Sequence, residues 1–221
     1  MWDPCMPFSC AFALLPFLGS TTCSPAQGAV PAFAGEAPSA RAEGEETIVL
    51  AGGCFWGVDA VYKHVKGVLS AVSGYSGGSA ATAQYSTVCS GSTSHAESVK
   101  ITYNISQIGC SDLLRIFFSV ATNPTEVNRQ GPDVGTQYRS VIFYTNETQK
   151  QTALAYISQL NKAKVFSSPI VTQVVPLEAF YPAEEYHQNY LEHHSANPYI
   201  AINDMPKLRE LQRLFPGLYK E

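Results

Sequence analysis

Charged residues and cysteine motifs are both scarce in this sequence, and each shortage excludes a class of function. Only 14% of its 221 residues are Asp, Glu, Lys or Arg, the formal net charge is −4, and no run of basic residues occurs. We therefore expect neither nucleic acid nor an anionic membrane surface as a partner. The six cysteines include no CxxC pair, so the sequence predicts neither a disulfide scaffold nor a bound metal.

Basic residues are also missing from residues 1–40, although a secretory leader ordinarily begins with some. Residues 7–19 are apolar but too short to span a bilayer as a helix, and Ala32-Phe33-Ala34 has the pattern of a cleavage site. We interpret residues 1–44 as a leader or low-complexity segment, cleaved or disordered, which predicts export to the periplasm or the medium. Because basic residues are lacking, an organellar protein (chloroplast or mitochondrion) and a cytoplasmic one with a misplaced start remain alternatives.

Strand and helix patterns alternate along the rest of the chain. Strand-like patterns cover residues 47–51, 68–75, 97–104, 140–145 and 169–177. Helical spacing covers residues 54–65, 111–120, 147–163, 182–194 and 206–215. Two long polar loops, 76–96 and 123–139, separate them, and loops of that length inside a domain are usually functional. The interleaving predicts an α+β fold, with one mixed sheet covered by helices.

The stretch Gly-Gly-Cys-Phe-Trp-Gly at residues 52–57 indicates a reactive thiol. Cys54 is expected near the first turn of a helix, where the helix dipole lowers the pKa of a thiol. Glycines allow backbone to approach a ligand, and the two aromatic residues offer an apolar wall. An arbitrary cysteine is more often a buried structural residue, but these neighbours reverse that preference.

Other polar residues are weaker candidates when each is taken alone. Glu97 lies between a loop and an apolar strand, where partial burial would raise the pKa of its carboxyl group and allow it to donate a proton. His95 is interpreted as a loop or capping residue, and the 129–139 loop as either an ion-paired surface or part of a site. His187 follows Glu184 and Glu185 without metal-type spacing, which favours a surface helix and no metal.

Five motifs taken in order make the sequence similar to the peptide methionine sulfoxide reductase A family, from about Ile48 to Tyr199. They are GCFWG, GYSGG, HAESV, RQGPDVGTQYRS and AEEYHQNY. The resemblance implies a two-layer α/β sandwich around a mixed sheet. It also implies a catalytic domain at residues 45–200, which leaves residues 201–221 as an amphipathic C-terminal extension. The implied activity is the thiol-dependent reduction of methionine S-sulfoxide, free or in proteins, to methionine.

The resemblance also assigns roles to individual residues. Cys54 matches the nucleophile that becomes a sulfenic acid, and Glu97 matches the proton donor. Phe55 and Trp56 match the apolar pocket for the S-methyl group. Tyr85 and Tyr138 match two residues whose hydroxyls hydrogen-bond the sulfoxide oxygen. Asp133 matches a carboxylate that supports the site. No cofactor is implied beyond an external thiol reductant, thioredoxin or a small dithiol, and we expect a monomer.

The sequence departs from the family pattern at three places. Thr122-Asn123-Pro124-Thr125 stands where a His-Asp-Pro-Thr turn is expected, and Ser94 replaces a glycine before the HAE motif. No cysteine follows Cys110, although many members have recycling cysteines near the C-terminus. Cys89 and Cys110 remain as possible resolving thiols, and we predict instead a one-cysteine cycle in which an external thiol attacks Cys54.

Three other classes of protein would use some of the same residues. A thiol peroxidase would also form a sulfenic acid, but it needs a peroxide pocket rather than an aromatic wall. A Cys–His hydrolase would require His95 or His187 to pair with Cys54. A non-catalytic protein that binds oxidised methionine is disfavoured because both a nucleophile and an acid are present.

Overall fold

The protein is described from a computed structural model that covers residues 28–35 and 43–221. Its main sheet has six strands in the order β7-β6-β1-β3-β2-β8, antiparallel except for the parallel pair β6–β7. The strands are β1 (Glu45–Ala51), β2 (Val68–Ser76), β3 (Ala96–Asn104), β6 (Val141–Tyr144), β7 (Gln173–Pro176) and β8 (Phe180–Pro182). A separate two-stranded ribbon consists of β4 (Arg129–Gln130) and β5 (Asp133–Val134).

The helices pack on one face of this sheet. They are α1 (Phe55–Lys63), α2 (Tyr85–Val88), α3 (Cys110–Ile116), α4 (Glu147–Lys162), α5 (Tyr190–His193) and α6 (Met205–Leu214). Alternate strand residues such as Leu50, Val99 and Ile101 face the helices and are fully buried in one core. The opposite face holds a smaller cluster around Val49 and Phe143. The predicted α+β sandwich with a mixed sheet is therefore confirmed.

Four elements follow the sequence patterns closely. β1, β2 and β3 fall within a residue or two of their predicted bounds, and α4 begins at the predicted cap. There the Oδ1 of Asn146 accepts a hydrogen bond of 2.8 Å from the backbone N–H of Gln149, which satisfies one of the unpaired donors of the first turn.

Several regions differ from their predictions: the loop predicted at 123–139 contains the β4–β5 ribbon, and β8 was not predicted. The loop predicted at 76–96 contains a 3-10 turn at Ala80–Thr82 and the short helix α2. The single helix predicted at 182–194 is instead a 3-10 turn at Glu185–His187 followed by α5. The break occurs at Asn189, which has a left-handed backbone conformation with φ of 52° and ends helical propagation.

Residues 28–35, which we term the N-terminal strap, lie across α3 and α4. The backbone N–H of Val30 donates to Ser119 Oγ at 3.0 Å, and its carbonyl accepts from Arg115 Nε at 2.9 Å. The hydroxyl of Tyr156 donates to the next strap carbonyl at 2.6 Å, and the Val30 side chain is buried. The strap includes the predicted cleavage pattern at 32–34, whereas the rest of the predicted leader up to residue 42 lies outside the described residues.

The C-terminal residues return to the helical layer. A π-helical turn at Ile200–Asp204 leads into α6, whose Leu208 and Leu211 are buried in the main core. A backbone bridge joins Val65 to Tyr219. Within the described part of the chain, no helix has both the length and the apolar character that crossing a bilayer requires.

Candidate active site

Cys54 lies at the junction between β1 and α1, where two glycines permit a tight turn. Gly53 has a φ of 102°, a conformation that L side chains rarely adopt, and a Cβ there would lie 2.7 Å from Cβ of Gln130. Cys54 is the residue before α1, and its side chain is only 8% exposed. The turn thus places the thiol at the start of the helix, as predicted, but in a nearly closed environment.

The prediction that the helix lowers the pKa of Cys54 is wrong for this resting state. Burial raises the pKa of the thiol well above its ordinary value, and the nearby carboxylates of Glu97, Asp204 and Asp133 raise it further. Only the backbone N–H of Trp56 hydrogen-bonds the sulfur and lowers its pKa. Burial and the three carboxylates therefore outweigh the hydrogen bond from the start of the helix.

That carboxylate is Glu97, on the helix-facing side of β3. Its Oε2 accepts the Phe55 N–H at 3.1 Å, and its side chain is 2% exposed. The partial burial expected from the sequence is therefore nearly complete. The hydrogen bond fixes the carboxyl group beside the residue that follows Cys54, so an acid and a thiol share one small space.

Phe55 and Trp56 belong to a group of packed aromatic rings. Trp56 is 4% exposed, and Tyr190 stacks on its indole with ring centroids 3.7 Å apart and planes 5° apart. Tyr199 meets the same indole edge-on at 6.0 Å. Trp56 Nε1 donates to His187 Nδ1 at 3.1 Å, which fixes the ring's rotation. The aromatic wall expected from the sequence is present and is rigidly held.

Tyr85 enters the site from the first turn of α2, and Glu184 holds it there. The Glu184 carboxylate accepts both the backbone N–H of Tyr85 and the hydroxyl of Tyr75, each at 2.9 Å. Together these contacts depress the pKa of Glu184 despite partial burial. The Tyr85 ring lies 4.1 Å from that of His187. Glu184 therefore ties α2 to β2 and to the aromatic group.

Asp133 and Tyr138 come from the second long loop. Asp133 lies in β5, and its Oδ2 accepts a hydrogen bond of 2.5 Å from the hydroxyl of Tyr199. Tyr138 ends a 3-10 turn and is buried in the same core as Cys54 and Tyr85. Burial raises the pKa of Asp133, although the Tyr199 hydrogen bond lowers it. The loop is thus part of the site rather than an ion-paired surface.

Asp204 approaches the catalytic turn from the C-terminal segment. A Cβ at Gly57 would overlap the Asp204 carboxylate, so the last glycine of the GCFWG motif is required by this close approach. Lys207 Nζ pairs with Asp204 Oδ1 at 3.2 Å, and Oδ2 is buried without a hydrogen bond among the described residues. Burial accordingly raises the pKa of Asp204.

The two imidazoles that a hydrolase would need are engaged elsewhere. His95 is fully buried, and its Nε2 lies 3.0 Å from the carbonyl of Ser79. His187 uses Nδ1 to accept from Trp56, so that nitrogen carries no proton. Among residues 28–35 and 43–221, no three His, Cys, Asp or Glu side chains are grouped so as to hold a metal ion.

The unusual turn at residues 122–125 keeps its shape with different side chains. Asn123 Oδ1 accepts from both the backbone N–H and the hydroxyl of Thr125, an Asx turn that an aspartate would also form. Gln130, which covers Gly53, exchanges two hydrogen bonds with the backbone of Asn123. The departure from the family pattern therefore leaves the support of the catalytic turn intact.

The other two cysteines of the body, Cys89 and Cys110, differ from each other in bonding state. Cys54 and Cys110 are free thiols, whereas Cys89 is in a disulfide bond. Cys110 begins α3, next to Tyr62 and Tyr103, and burial raises the pKa of its thiol to about 12. Tyr62 lies eight residues after Cys54, about 12 Å along α1.

Most of the second half of the site was not predicted from the sequence. Glu184 and His187 were interpreted as surface residues of one helix, and Tyr190, Tyr199 and Asp204 were given no role. The only local signal was the density of aromatic residues in 186–199. Their partners lie far away along the chain, so only the fold brings them together.

Comparison with known proteins agrees with this geometry. Residues 46–216 match the family described as peptide methionine sulfoxide reductase. A peptide methionine sulfoxide reductase MsrA 2 from Mesorhizobium japonicum is 57% identical over 180 residues, which are 81% of this chain and 92% of that protein. A protein of the same name from a Synechocystis species is 49% identical over 82% of this chain and 85% of its own length.

Solved structures show the same fold. The reduced form of Mxr1 from Saccharomyces cerevisiae superposes with a TM-score of 0.61 at 33% identity, covering 68% of this chain and 86% of that one. Methionine sulfoxide reductase A of Corynebacterium diphtheriae gives 0.59 at 33% identity, covering 69% and 76%. With a thiol, a carboxyl group and an aromatic wall in one buried space, the chain belongs to the peptide methionine sulfoxide reductase family.

Proposed function

We propose that this protein reduces methionine S-sulfoxide, free or within oxidised proteins, to methionine, with Cys54 as the nucleophile. The observation that carries the proposal is the hydrogen bond from the Phe55 N–H to Glu97, which holds a buried carboxyl group beside the buried thiol. A sulfoxide oxygen must be protonated before its sulfur becomes a good electrophile, and a carboxylic acid can supply that proton. The proximity of acid and nucleophile matches this requirement.

The charges around Cys54 indicate how the thiol is activated. A negative charge on Glu97 raises the pKa of Cys54, so the carboxylate favours the protonated thiol. Transfer of that proton from sulfur to carboxylate gives the reactive form, a thiolate beside a neutral acid. Glu97 then protonates the sulfoxide oxygen, and Cys54 attacks the sulfoxide sulfur to form an S–S bond to it. The oxygen next migrates to the Cys54 sulfur, and the new S–S bond breaks as its electron pair returns to the methionine sulfur. The S–O bond breaks, methionine leaves, and the oxygen remains on Cys54 as a sulfenic acid.

The electrons and protons of this step balance without a cofactor. The substrate sulfur gains two electrons, and the cysteine sulfur loses two. The thiol proton ends on the sulfenic acid, and Glu97 returns to its starting state. Tyr85 and Tyr138 are assigned to the sulfoxide oxygen, where hydroxyl donors stabilise developing charge. Asp133 accepts the hydroxyl of Tyr199, whose ring packs edge-on against Trp56, and so supports the aromatic wall. Phe55 and Trp56 receive the methyl group.

We assign the return of Cys54 to its thiol form to an external reductant, thioredoxin or a small dithiol. A first external thiol attacks the sulfenic acid and releases water, and a second thiol releases Cys54 from the mixed disulfide. No cysteine follows Cys110 along the chain, where many family members have recycling cysteines. Cys110 is buried near Tyr62 and Tyr103, and the raised pKa of its thiol makes it a poor nucleophile. These positions support a one-cysteine cycle.

The decisive experiment is an assay of both epimers of methionine sulfoxide with dithiothreitol as reductant. We expect turnover of the S epimer alone, and loss of turnover in Cys54→Ser with an unchanged melting temperature. Turnover of hydrogen peroxide or of an acyl ester, with none of the sulfoxide, would instead identify a peroxidase or a hydrolase.

The cycle has its own test. The protein is exposed to excess methionine sulfoxide without reductant, and its thiols are counted by mass spectrometry. A sulfenic acid on Cys54, captured by a specific probe, supports the one-cysteine cycle. A disulfide from Cys54 to Cys89 or Cys110 contradicts it.

Export and the monomeric state also belong to the proposal. Fractionation of cells that express the full chain would place the protein in the periplasm or medium, an organelle or the cytoplasm. Sedimentation of the purified protein would give its oligomeric state, for which we expect a monomer of 23.9 kDa or less.

A further inference from the structure

Three side chains next to the aromatic wall form a polar group that the proposed chemistry does not use. Lys63, in the last turn of α1, donates to Asp59 Oδ2 at 2.7 Å and to Asn189 Oδ1 at 2.5 Å. Asp59 is 2% exposed, and its Oδ1 is buried without a hydrogen bond among the described residues. Glu192 on α5 adds a further negative charge nearby. Lys63 therefore supplies the positive charge that compensates the buried carboxyl group of Asp59.

The Asn189 end of this group carries the residue that covers Trp56. Asn189 has a left-handed backbone conformation and directly precedes Tyr190, whose ring is stacked on the indole. On its other side, Tyr190 stacks on His194 at 3.9 Å. The direction in which Tyr190 leaves the backbone thus depends on the conformation of Asn189, and Lys63 holds that residue by its side chain.

Two contacts join this segment to the helix that presents the nucleophile: Lys63 with Asn189, and Trp56 with Tyr190. Trp56, Asp59 and Lys63 all belong to α1, which begins directly after Cys54. The contact therefore fixes α5 to the same rigid helix that carries the reactive sulfur and the pocket wall. A shift of Tyr190 would change the width of the space beside Trp56.

We propose that Asp59, Lys63 and Asn189 form a clamp that positions Tyr190 against Trp56 and so sets the size of the sulfoxide substituent that the pocket accepts. These are positioning residues, since none of them touches the reacting atoms. The inference rests on the proposed function, because the substituent is the S-methyl group of methionine sulfoxide. The clamp favours methyl over larger groups by preventing Tyr190 from moving away.

The test compares methionine sulfoxide with ethionine sulfoxide, which carries an ethyl group. Asn189→Gly keeps a residue that adopts positive φ easily but removes the side-chain amide. We expect KM for the methyl substrate to rise by about fivefold to tenfold with kcat changed less than about twofold, the pattern of lost binding. We expect kcat/KM for the ethyl substrate to fall less, so the ratio of kcat/KM for the methyl substrate to that for the ethyl substrate decreases.

Two control variants separate the clamp from a general structural effect. Asn189→Asp keeps an oxygen that accepts from Lys63, and we expect the methyl-to-ethyl ratio to stay at the parent value. Lys164→Gly replaces another residue with positive φ, of 50°, in the turn after α4 and away from the site, and should leave the ratio unchanged. Equal ratios in Asn189→Gly and the parent would overturn the proposal, whatever the melting temperatures.

A second measurement does not depend on turnover. In a Trp2→Phe background Trp56 is the remaining tryptophan, and acrylamide quenching of its fluorescence reports its exposure. We expect quenching to increase at least twofold in Asn189→Gly but not in Asn189→Asp. Unchanged quenching would contradict the clamp. If the parent protein does not reduce sulfoxides but quenching still increases in Asn189→Gly, the proposed function is refuted, whereas the positioning of Tyr190 by Asn189 is supported.

Discussion

Three carboxyl groups surround the Cys54 thiol, and their charge raises the pKa of the sulfur beyond what burial does alone. Glu97 and Asp133 were recognised from sequence motifs, and Asp204 was not. Asp204 reaches the turn because Gly57 has no side chain. A thiol that stays protonated until substrate arrives is less exposed to oxidants, because the thiolate is the form they attack.

Replacing Asp204 by asparagine tests this electrostatic effect. Removal of a nearby negative charge makes the thiolate less costly, so we expect the pKa of Cys54 to fall. The rate of Cys54 alkylation by iodoacetamide, measured against pH with peptide mass spectrometry, gives the midpoint. Asp112→Asn on α3 is the control. A midpoint that is identical in Asp204→Asn and the parent would show that Asp204 does not act on the thiol.

Replacing Glu97 by glutamine tests the proton donor. An amide oxygen can still accept the Phe55 N–H, but the group has no proton to give. We expect single-turnover formation of the sulfenic acid to slow by about 10²- to 10⁴-fold, the usual value of general acid catalysis. The loss should shrink at low pH, where solvent acid substitutes. The exposed Glu178→Gln is the control, and a rate within a few-fold of the parent would remove Glu97 from this role.

At the scale of elements, short helices carry much of the site and depend on single contacts. α2 has only four residues, fewer than an isolated helix needs to be stable, and Glu184 accepts the N–H of its first residue. The same carboxylate binds Tyr75 on β2. The position of Tyr85 therefore depends on a residue about a hundred positions later in the chain.

Glu184→Ala should therefore impair catalysis through α2. Loss of two hydrogen bonds to a charged group costs stability of about 1–3 kcal/mol, and displacement of Tyr85 lowers kcat by about 10- to 100-fold. Glu185→Ala changes the exposed neighbour and should affect neither quantity. Urea unfolding and steady-state kinetics measure the two effects. If Glu184→Ala has the same kcat as the parent, α2 keeps its position without the contact from Glu184.

α1 carries a buried carboxyl group whose titration should be visible in stability. Burial raises the pKa of Asp59 to about 6, although Lys63 lowers it and Glu192 raises it slightly. Because the folded state binds this proton more tightly than the unfolded state, the contribution is favourable below pH 4 and is lost as pH rises through 6. Relative to the parent, Asp59→Asn should gain about 2 kcal/mol between pH 4 and pH 7, since each pKa unit corresponds to 1.36 kcal/mol and part of the titration lies below pH 4. Urea unfolding at both pH values measures the free energy of unfolding of each protein. A difference between Asp59→Asn and the parent that is the same at pH 4 and pH 7 would refute the prediction.

How much of this architecture can be inferred from the sequence depends on how local its causes are. β1, α1 and α4 were predictable because periodicity, glycines and an Asn cap act within a few residues. The region 182–194 was wrongly predicted as one helix. Its conformation is determined by contacts of His187, Gln188 and Tyr190 with residues on β2 and α1, which outweigh local helical propensity. The raised pKa of Cys54 was also beyond the sequence, since it depends on burial and on Asp204.

At the scale of the whole molecule, the N-terminal strap extends the fold beyond the residues that match the family. Residues 28–35 lie outside the matched range 46–216, yet they supply hydrogen-bond acceptors to Arg115 and Tyr156. The strap contacts α3 and α4, which carry no residue of the catalytic turn. Its contribution should be to stability and not to turnover.

Two truncations test the strap. Deletion of residues 1–35 should cost about 2–4 kcal/mol relative to deletion of residues 1–27, from lost hydrogen bonds and the exposure of buried Val30. Both proteins should have the same kcat. Equal stability of the two would show that the strap is not a working part of the fold. A mature chain that begins after Ala34 would have the lower stability.

The order of the chain has a consequence for its synthesis. The residues that cover the catalytic turn, among them His187, Tyr190, Tyr199 and Asp204, are translated after every strand of the main sheet. On the ribosome the sheet and α1 can form first, while Trp56 and the Cys54 sulfur still face water. The nascent protein therefore passes through a stage in which its thiol lacks the protective burial of the finished molecule. A protein suited to repairing oxidative damage is thus itself most open to that damage while it is being made.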